Sequence, residues 1–203
     1  MITKLLKPIL TAALVCISYT ASLAEQRIPW PDEEPLRQKF ETFIRSLDSI
    51  RIAKNYPKAV HNLQSTEPQK QILGIRTLAA TEEPEIVAWI LPFLDSKEPY
   101  VQVEAGLAFD RLVSAHALRR RDPSIGNRVV LRPLTPRDAD LRSLAWVALK
   151  MLKTQPEGSL GGYAITMIGY LQLDDFAEGL RAIASSDSPR AREATHFLEF
   201  LRE

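Results

Sequence analysis

One short phrase recurs along the chain and limits what it can fold into. An acidic or hydroxyl residue followed by proline precedes each of five apolar runs: Glu67-Pro68, Glu83-Pro84, Glu98-Pro99, Thr135-Pro136 and Ser188-Pro189. Proline suits the first position of a helix because its φ is already helical and it has no N–H to leave unpaired. The neighbouring carboxylate or hydroxyl can satisfy the free amides and the positive end of the helix dipole. The phrase therefore predicts a series of separate helices.

The spacing of apolar residues agrees with this prediction. Between residues 36 and 50 they recur at steps of three and four, the period of an amphipathic helix, and no stretch alternates as a strand would. Pro57 interrupts that pattern, and Ser159 and Asp174 are plausible caps for two further helices. We expect an all-α fold of about eight to ten helices. The first long helix is expected to cap the N-terminal end, and the last helix, ending at Arg202, to close the other.

A second phrase recurs inside these helices, consisting of a residue, then Arg or Gln, two more residues, and a small residue. It occurs at residues 70–74, 101–105, 141–145 and 191–195. With the proline starts, it resembles the HEAT-repeat family in its short bacterial form, and the nearest copy is at residues 138–149. The resemblance covers roughly residues 66 to 203. It implies antiparallel helix pairs stacked as a short right-handed α-solenoid that binds other proteins on a long helical face.

The spacing of the repeats is irregular. Pro68, Pro99, Pro136 and Pro189 are 31, 37 and 53 residues apart. The step of 37 is expected to contain a loop at residues 119–127. The step of 53 is too long for one repeat, so a degenerate helix pair is expected within it.

Glycine stands inside several of the predicted helices, where it costs roughly 1 kcal/mol relative to alanine. The positions are Gly74, the Ala105-Gly106 pair, Gly169 and Gly179. Small residues let helix backbones approach more closely than the usual distance of about 8–10 Å. We expect these glycines to lie where neighbouring helices meet. The alternative is that they only end helices.

The first 24 residues have the pattern of a secretory signal. Lys4 and Lys7 precede an apolar run that is too short to span a bilayer, and a small-residue cleavage site ends at Ala24. The alternative is a lipoprotein signal cleaved before Cys16, which Val15 disfavours because the preceding residue should be small. Since Cys16 is the only cysteine, cleavage after Ala24 leaves no disulfide, thiolate metal site or cysteine nucleophile. The expected location is periplasmic or secreted.

The predicted mature chain has two parts. Residues 25–35 contain three prolines and are expected to form an extended arm that Trp30 attaches to the body. Residues 36–203 are expected to form the α-helical repeat domain, with no further run long enough to cross a membrane. Trp89 and Trp146 lie in apolar helical stripes and are predicted to be in the core. Trp30, Tyr56 and Tyr100 are predicted to be more exposed.

No residue pattern indicates catalysis, and no cofactor or metal ligand is predicted. His61, His116 and His196 are far apart in the sequence and lack ligand spacing. The glycine-rich residues 158–162 lack the Gly-Lys-Ser/Thr of a phosphate loop and the symmetry of a nucleophile elbow. The acidic pairs at 82–83 and 174–175 precede helices and are interpreted as caps.

The distribution of charge along the chain is uneven in one segment, which is basic. Between residues 111 and 137 there are seven arginines and a single acid, Asp122, in a chain of net charge +1. Arginine suits bidentate contact with carboxylate or phosphate. The candidate partner-binding residues are Arg119, Arg120, Arg121, Arg128, Arg132 and Tyr100. The alternative is a solvated loop after a helix whose C-terminus the arginines complement.

These observations lead to three functional hypotheses. The first is an exported, non-catalytic scaffold or adaptor that binds a protein with an acidic surface. The second is an assembly or regulatory subunit of an envelope complex that docks an acidic partner or polyanion through residues 111–137. The third is an enzyme of unknown reaction, which the residues do not support. Neither a nucleic-acid partner nor a membrane span is expected.

Overall fold

The computed structural model describes residues 28–119 and 140–201, and every regular element among them is helical. This confirms the all-α prediction. The helices are α1 (Glu33–Ser46), α2 (Ser49–Asn55), α3 (Pro57–Leu63), α4 (Pro68–Ala79), α5 (Val87–Ile90), α6 (Pro99–Arg119), α7 (Ala145–Thr154), α8 (Ser159–Tyr170), α9 (Ala177–Ala184) and α10 (Ala191–Leu198). Short 3₁₀ turns occupy Pro84–Ile86, Leu91–Asp95, Asp140–Leu144 and Asp174–Phe176.

Proline does begin helices α4 and α6, as the recurring phrase predicts, and Pro84 begins a 3₁₀ turn. Pro57, which is not part of the phrase, begins α3. The residue beside the proline, however, does not provide a side-chain cap at α4. A hydroxyl three residues before the proline holds the turn instead, because it accepts the backbone N–H of the residue that precedes the proline. The four cases are Ser65 with Glu67 (3.1 Å), Thr81 with Glu83 (3.3 Å), Ser96 with Glu98 (3.2 Å) and Ser186 with Ser188 (3.2 Å). The full signal is therefore Ser/Thr-x-x-Pro, and it forms a hydrogen-bonded turn.

The Arg-or-Gln phrase also has a structural explanation. Gln71 donates to the carbonyl oxygen of Ser65 (2.7 Å), and Gln102 to that of Leu94 (2.8 Å). Arg142 donates to the carbonyl oxygen of Gln172, 2.8 Å away. Each side chain thus satisfies a carbonyl where the chain leaves regular structure, which would otherwise lack a partner. These residues therefore contribute to the fold.

Four helices contact one another in succession: α4 packs on α6, α6 on α8, and α8 on α10. A second set lies beside them, with α3 against α4, the turn at Leu91–Asp95 against α6, α7 against α8, and α9 against α10. The core between them is formed by apolar side chains that are almost fully buried, among them Phe109, Phe176, Ile75 and Leu144. No helix in the two described ranges is long and apolar enough to cross a membrane.

Glycine allows these helices to approach closely, as predicted. A methyl group at Gly74 would lie 2.8 Å from the carbonyl oxygen of Ala59 in α3. At Gly106 it would collide with Leu160 and lie 3.2 Å from Tyr163, both in α8. Contacts this short do not occur between real carbon atoms and their neighbours, so a larger residue would push α6 away from α8.

The N-terminal segment does not cap the start of the array formed by α4, α6, α8, α10 and the elements beside them, contrary to the prediction. Helix α1 packs on α7 and on the turn before it, and Phe40 stacks near Trp146 with 4.9 Å between ring centroids. The segment also lies further along the array, where Trp30 contacts Phe176 at 6.0 Å and covers Gly179. We call residues 28–55 the N-terminal strap. Its burial against distant helices explains why the first element cannot behave as an end cap.

The strap differs from the sequence prediction in its details as well. Helix α1 already begins at Glu33, inside the region expected to be an extended arm, and the long pattern to residue 50 is broken where Leu47 is extended. Asp48 then caps α2 by accepting the N–H of Arg51 at 3.2 Å. Trp30, predicted to be exposed, is partly buried, because its ring packs against α9 at Gly179.

The second half of the strap lies against the turn that follows α4. Trp89, predicted to be core, is partly buried and donates to the carbonyl oxygen of Ser49 at 2.9 Å. Arg51 forms ion pairs with Glu83 and Glu85, both at 2.7 Å. Tyr56 also donates to Glu83, at 2.8 Å, and is therefore only partly exposed. The strap thus runs from α9 back to residues 83–90 and links helices that are distant in sequence.

Candidate functional site

An exposed apolar pair lies on the outer face of α4 and α6. The side chain of Tyr100 is 80% exposed, as predicted, and that of Leu73 is 55% exposed. Arg76 lies one turn after Leu73, and Glu104 one turn after Tyr100. Arg76 and Glu104 form an ion pair between the two helices, with 3.0 Å between Nε and Oε2. We call these four residues the α4–α6 patch.

Two ion pairs indicate that α4 and α6 run in the same direction. Arg76 of α4 pairs with Glu104 of α6, and Glu82, three residues after the end of α4, pairs with Arg119 at the end of α6. The later residue of one helix therefore meets the later residue of the other. Leu73 and Tyr100 are exposed and each lies one helical turn before a member of the Arg76–Glu104 pair. Sequence reasoning selected Tyr100 and missed Leu73, although Leu73 falls off the buried stripe of α4 formed by Gly74, Ile75, Leu78 and Ala79.

The electrostatics of the patch favour a fixed geometry. Hydrogen bonding and the positive charge of Arg76 hold the pKa of Glu104 below its ordinary value. The carboxylate of Glu104 is only 14% exposed, whereas Arg76 is 58% exposed. The side chain of Arg76 is therefore much more exposed to solvent than the carboxylate with which it pairs. An exposed aromatic beside an arginine is the composition typical of protein-binding surfaces.

A second polar group of residues lies further along the same layer. Asp110 and Ser114 are on α6, Tyr163 is on α8, and Arg190 and Glu193 are at the start of α10. We call these five residues the Asp110 cluster. Burial, followed by the negative charge of Glu193, raises the pKa of Asp110 to about 6. Burial also raises the pKa of Tyr163, and the charge of Asp110 adds to that effect.

The Asp110 cluster is incompletely paired. Oδ1 of Asp110 is buried and has no hydrogen-bond partner in the described part of the chain. Arg190 is already engaged, since it donates to Glu193 at 3.0 Å and to the carbonyl oxygen of Gly158 at 2.7 Å. A buried carboxyl oxygen without a donor is costly, and groups with raised pKa are common at functional sites. The sequence contains no motif that could have identified this cluster, because it forms only when α6, α8 and α10 pack.

Most of the predicted arginine site lies outside the described residues. This applies to Arg120, Arg121, Arg128 and Arg132. The structure places Arg111 and Arg119 on the exposed side of α6. Arg119 forms an ion pair with Glu82, whose backbone is in the left-handed region with φ of 55°. Glu82 was interpreted from the sequence as a helix cap. In the structure it neutralises the charge of Arg119, the first of the predicted partner-binding arginines.

The other sequence candidates are not brought together. His61 is exposed, His116 is buried in α6, and His196 lies against the rings of Phe197 and Phe200 in the last helix region. No cluster of three or more His, Cys, Asp or Glu residues suited to a metal ion occurs within residues 28–119 and 140–201. Ser159 does not cap α8 with its side chain but is its first residue, after Gly158.

A shallow, open groove lies between α1 and the turn before α7. It is lined by Gln38, Lys39, Thr42, Phe43, Ser46, Asp140 and Ser143. The groove is open to solvent, so it does not create the enclosed, water-poor environment that perturbs catalytic groups. The α4–α6 patch and the Asp110 cluster therefore remain the two candidate sites.

Comparison with protein-family models, with curated proteins and with solved structures found no significant match.

Proposed function

We propose that this chain is a non-catalytic scaffold that binds a partner protein through the outer face of α4 and α6. The observation that carries the proposal is the exposed pair Leu73 and Tyr100 beside the Arg76–Glu104 ion pair. Burial of the Tyr100 and Leu73 side chains against a partner would contribute desolvation free energy, and Arg76, fixed by its ion pair, would orient that partner. Apolar side chains this exposed contribute nothing to the chain's own core.

The arrangement of the array supports the choice of face. In the proposed HEAT-like solenoid, α4, α6, α8 and α10 form one layer and their shorter companions the other. The strap occupies the companion side, where Trp30 covers Gly179 and Phe40 lies on Trp146. The face of α4 and α6 carries no such cover from the strap. A partner would therefore meet the α4–α6 patch without displacing any part of the strap.

The chemistry of the proposed partner follows from charge. Arg111 is exposed on α6, Arg76 faces solvent, and four further arginine candidates follow Arg119 in sequence. We propose that the partner presents an acidic surface, as would also hold for an assembly or regulatory subunit of an envelope complex. Binding through surface charges weakens as salt screens them, with a Debye length of about 10 Å at 0.1 M salt. Export to the cell envelope, inferred from the signal-like residues 1–24, is part of the same proposal.

A capture experiment with matched variants tests the proposal. The chain lacking residues 1–24 is immobilised, and proteins of the envelope fraction are captured at low and moderate salt. The double variant Leu73→Ser, Tyr100→Ser should lose the captured partner. Ile50→Ser is the matched control, because Ile50 is 66% exposed but lies on the strap.

The outcomes separate the hypotheses. If the double variant captures the same partner as the parent chain and as Ile50→Ser, the α4–α6 patch is not the binding surface. If only Arg119→Glu, Arg120→Glu, Arg121→Glu loses the partner, the arginine segment is the docking site and the alternative hypothesis replaces the scaffold face. Circular dichroism on each variant confirms that loss of capture is not loss of folding.

A further inference from the structure

The two helices of the N-terminal strap are joined by a tight turn at residues 47–49. Leu47 is extended, and the N–H of Ser49 donates to the carbonyl oxygen of Leu47 at 3.0 Å, which makes a three-residue turn around Asp48. The side chain of Asp48 also caps α2. Neither glycine nor proline occurs between residues 36 and 56, so no residue there forces the chain to bend. A straight helix through the turn is therefore open to this sequence.

The apolar pattern of the strap continues across this turn. Leu36, Phe40 and Phe43 form the buried face of α1. In one continuous helix, Leu47 and Ile50 would lie with these three side chains within roughly 80° of the helix circumference. In the bent form the stripe is interrupted, and Ile50 is left 66% exposed. The strap thus contains a longer apolar stripe than the bent chain buries.

The two halves of the strap are anchored to separate surfaces. Helix α1 makes its main contacts with α7 and the turn before it, whereas α2 lies on α3 and on the turn at Pro84–Ile86. The ion pairs on the outer face of α1, Glu34 with Arg37 at 2.6 Å and Glu41 with Arg45 at 3.4 Å, lie within the helix and would move with it. Straightening of the turn would therefore carry α1 away from α7 as an intact helix, while α2 stays in place.

The surface that α1 would leave matches the chemistry of the strap. Trp30 packs on α9, and Phe40 lies 4.9 Å from Trp146 between ring centroids. The carboxylate of Glu33 pairs with Lys153 of α7 at 2.6 Å. Uncovering the apolar part of this surface in water is unfavourable. A second copy of the chain carries the same strap, so it can supply every one of these contacts.

We propose that two copies of this chain form a dimer by exchanging residues 28–46. In each copy α1 and α2 join into one helix over residues 33–55, about 35 Å long at roughly 1.5 Å per residue, and α1 docks on α7 of the other copy. Two-fold symmetry brings the two straightened joints together, where Leu47 and Ile50 of each copy extend the buried stripe. Because the contacts of α1 are the same in both forms, the turn at Asp48 and the chain concentration set the balance between monomer and dimer.

Two substitutions at Asp48 act on the exchange in opposite directions. Asp48→Pro fits the bent form, because φ of Asp48 is −82° and the preceding Leu47 is extended. Inside a straight helix the same proline would remove a backbone hydrogen bond and clash with the preceding turn. Asp48→Ala is the matched variant, since it removes the same cap from α2 but favours a continuous helix. A difference between the two variants therefore reports on the helix through the joint.

Size-exclusion chromatography with light scattering measures the dimer fraction. The full chain is equilibrated in moderate urea, returned to buffer, and measured from about 10 µM to about 1 mM. Relative to the parent chain, Asp48→Ala should lower the dissociation constant of the dimer at least about tenfold, and Asp48→Pro should raise it at least about a hundredfold. If the parent chain and Asp48→Ala both stay monomeric, or if Asp48→Pro dimerises as readily as the parent chain, the proposal is wrong.

A mixing experiment separates strap exchange from any other kind of dimer. Glu33→Lys and Lys153→Glu each place two like charges together in the closed chain. In an exchanged heterodimer of the two variants, each strap meets the opposite charge on α7 of the other copy. Native mass spectrometry should therefore find a ratio of heterodimer to homodimer at least about fivefold above the statistical ratio. A statistical ratio would overturn the proposal, and this holds even if Asp48→Pro fails to fold.

Discussion

The contact between Trp30 and Gly179 allows a quantitative test of how the N-terminal strap packs. Glycine inside α9 costs roughly 1 kcal/mol relative to alanine, so Gly179→Ala should stabilise an isolated helix by that amount. In this structure the added methyl group would collide with the six-membered ring of Trp30. The Trp30 ring must then move away from α9, and the stabilisation that this contact provides is lost.

The magnitude follows from the area sealed beneath the ring. If about 100 Å² of apolar surface is covered, the contact contributes about 2.5 kcal/mol at roughly 25 cal/mol per Å². Gly179→Ala should then destabilise the parent chain by about 1.5 kcal/mol, the balance of a loss of about 2.5 and a gain of about 1. In a Trp30→Ala background the same substitution meets no ring, and should stabilise by about 1 kcal/mol.

A double-mutant cycle by urea denaturation measures the difference, expected to be about 2.5 kcal/mol of coupling. Glu178→Ala is the matched control on the same helix, since Glu178 is exposed and should show no coupling to Trp30. If Gly179→Ala stabilises the parent chain as much as it stabilises the Trp30→Ala variant, Trp30 does not pack against Gly179. The account of the strap would then be refuted.

Two further predictions concern the patch and the leader. Glu104→Gln should reduce the unfolding free energy at pH 7 by about 0.5 kcal/mol, because it breaks the ion pair with Arg76. Since the pKa of Glu104 is lowered, that difference should shrink as pH falls below the ordinary value of 4.5, and a difference independent of pH would contradict the assignment. For the proposed export, the intact mass of the chain purified from the envelope should correspond to residues 25–203. A mass that retains residues 1–24 would exclude cleavage after Ala24.

The recurring proline phrase shows how local chemistry reaches the fold. It marked the beginnings of α4 and α6 through properties of proline that act within a single turn. The capping group was assigned to the wrong residue, because the hydroxyl that holds each turn is three positions before the proline. That hydrogen bond is also local, so closer inspection of the sequence could have found it.

The strap shows the opposite case. Periodicity indicated an amphipathic helix near residues 36–50, but nothing in it identifies the surface against which Phe40 packs. Its partner, Trp146, lies more than a hundred residues away in the sequence, in a helix with an ordinary apolar stripe. Many apolar stripes are equivalent as sequence patterns, and only the packed structure selects one.

The amino-acid sequence by itself determined the helical class of the chain, the positions of most helix starts, and the glycines at which helices approach closely. These depend on interactions within a few residues, which the order of the side chains specifies directly. The tertiary structure alone decided that Arg76 pairs with Glu104, that the strap covers the companion helices, and that Arg190 donates to the carbonyl oxygen of Gly158. Those relations arise between helices far apart in the chain, where burial and the fields of neighbouring charges depend on how the whole array packs.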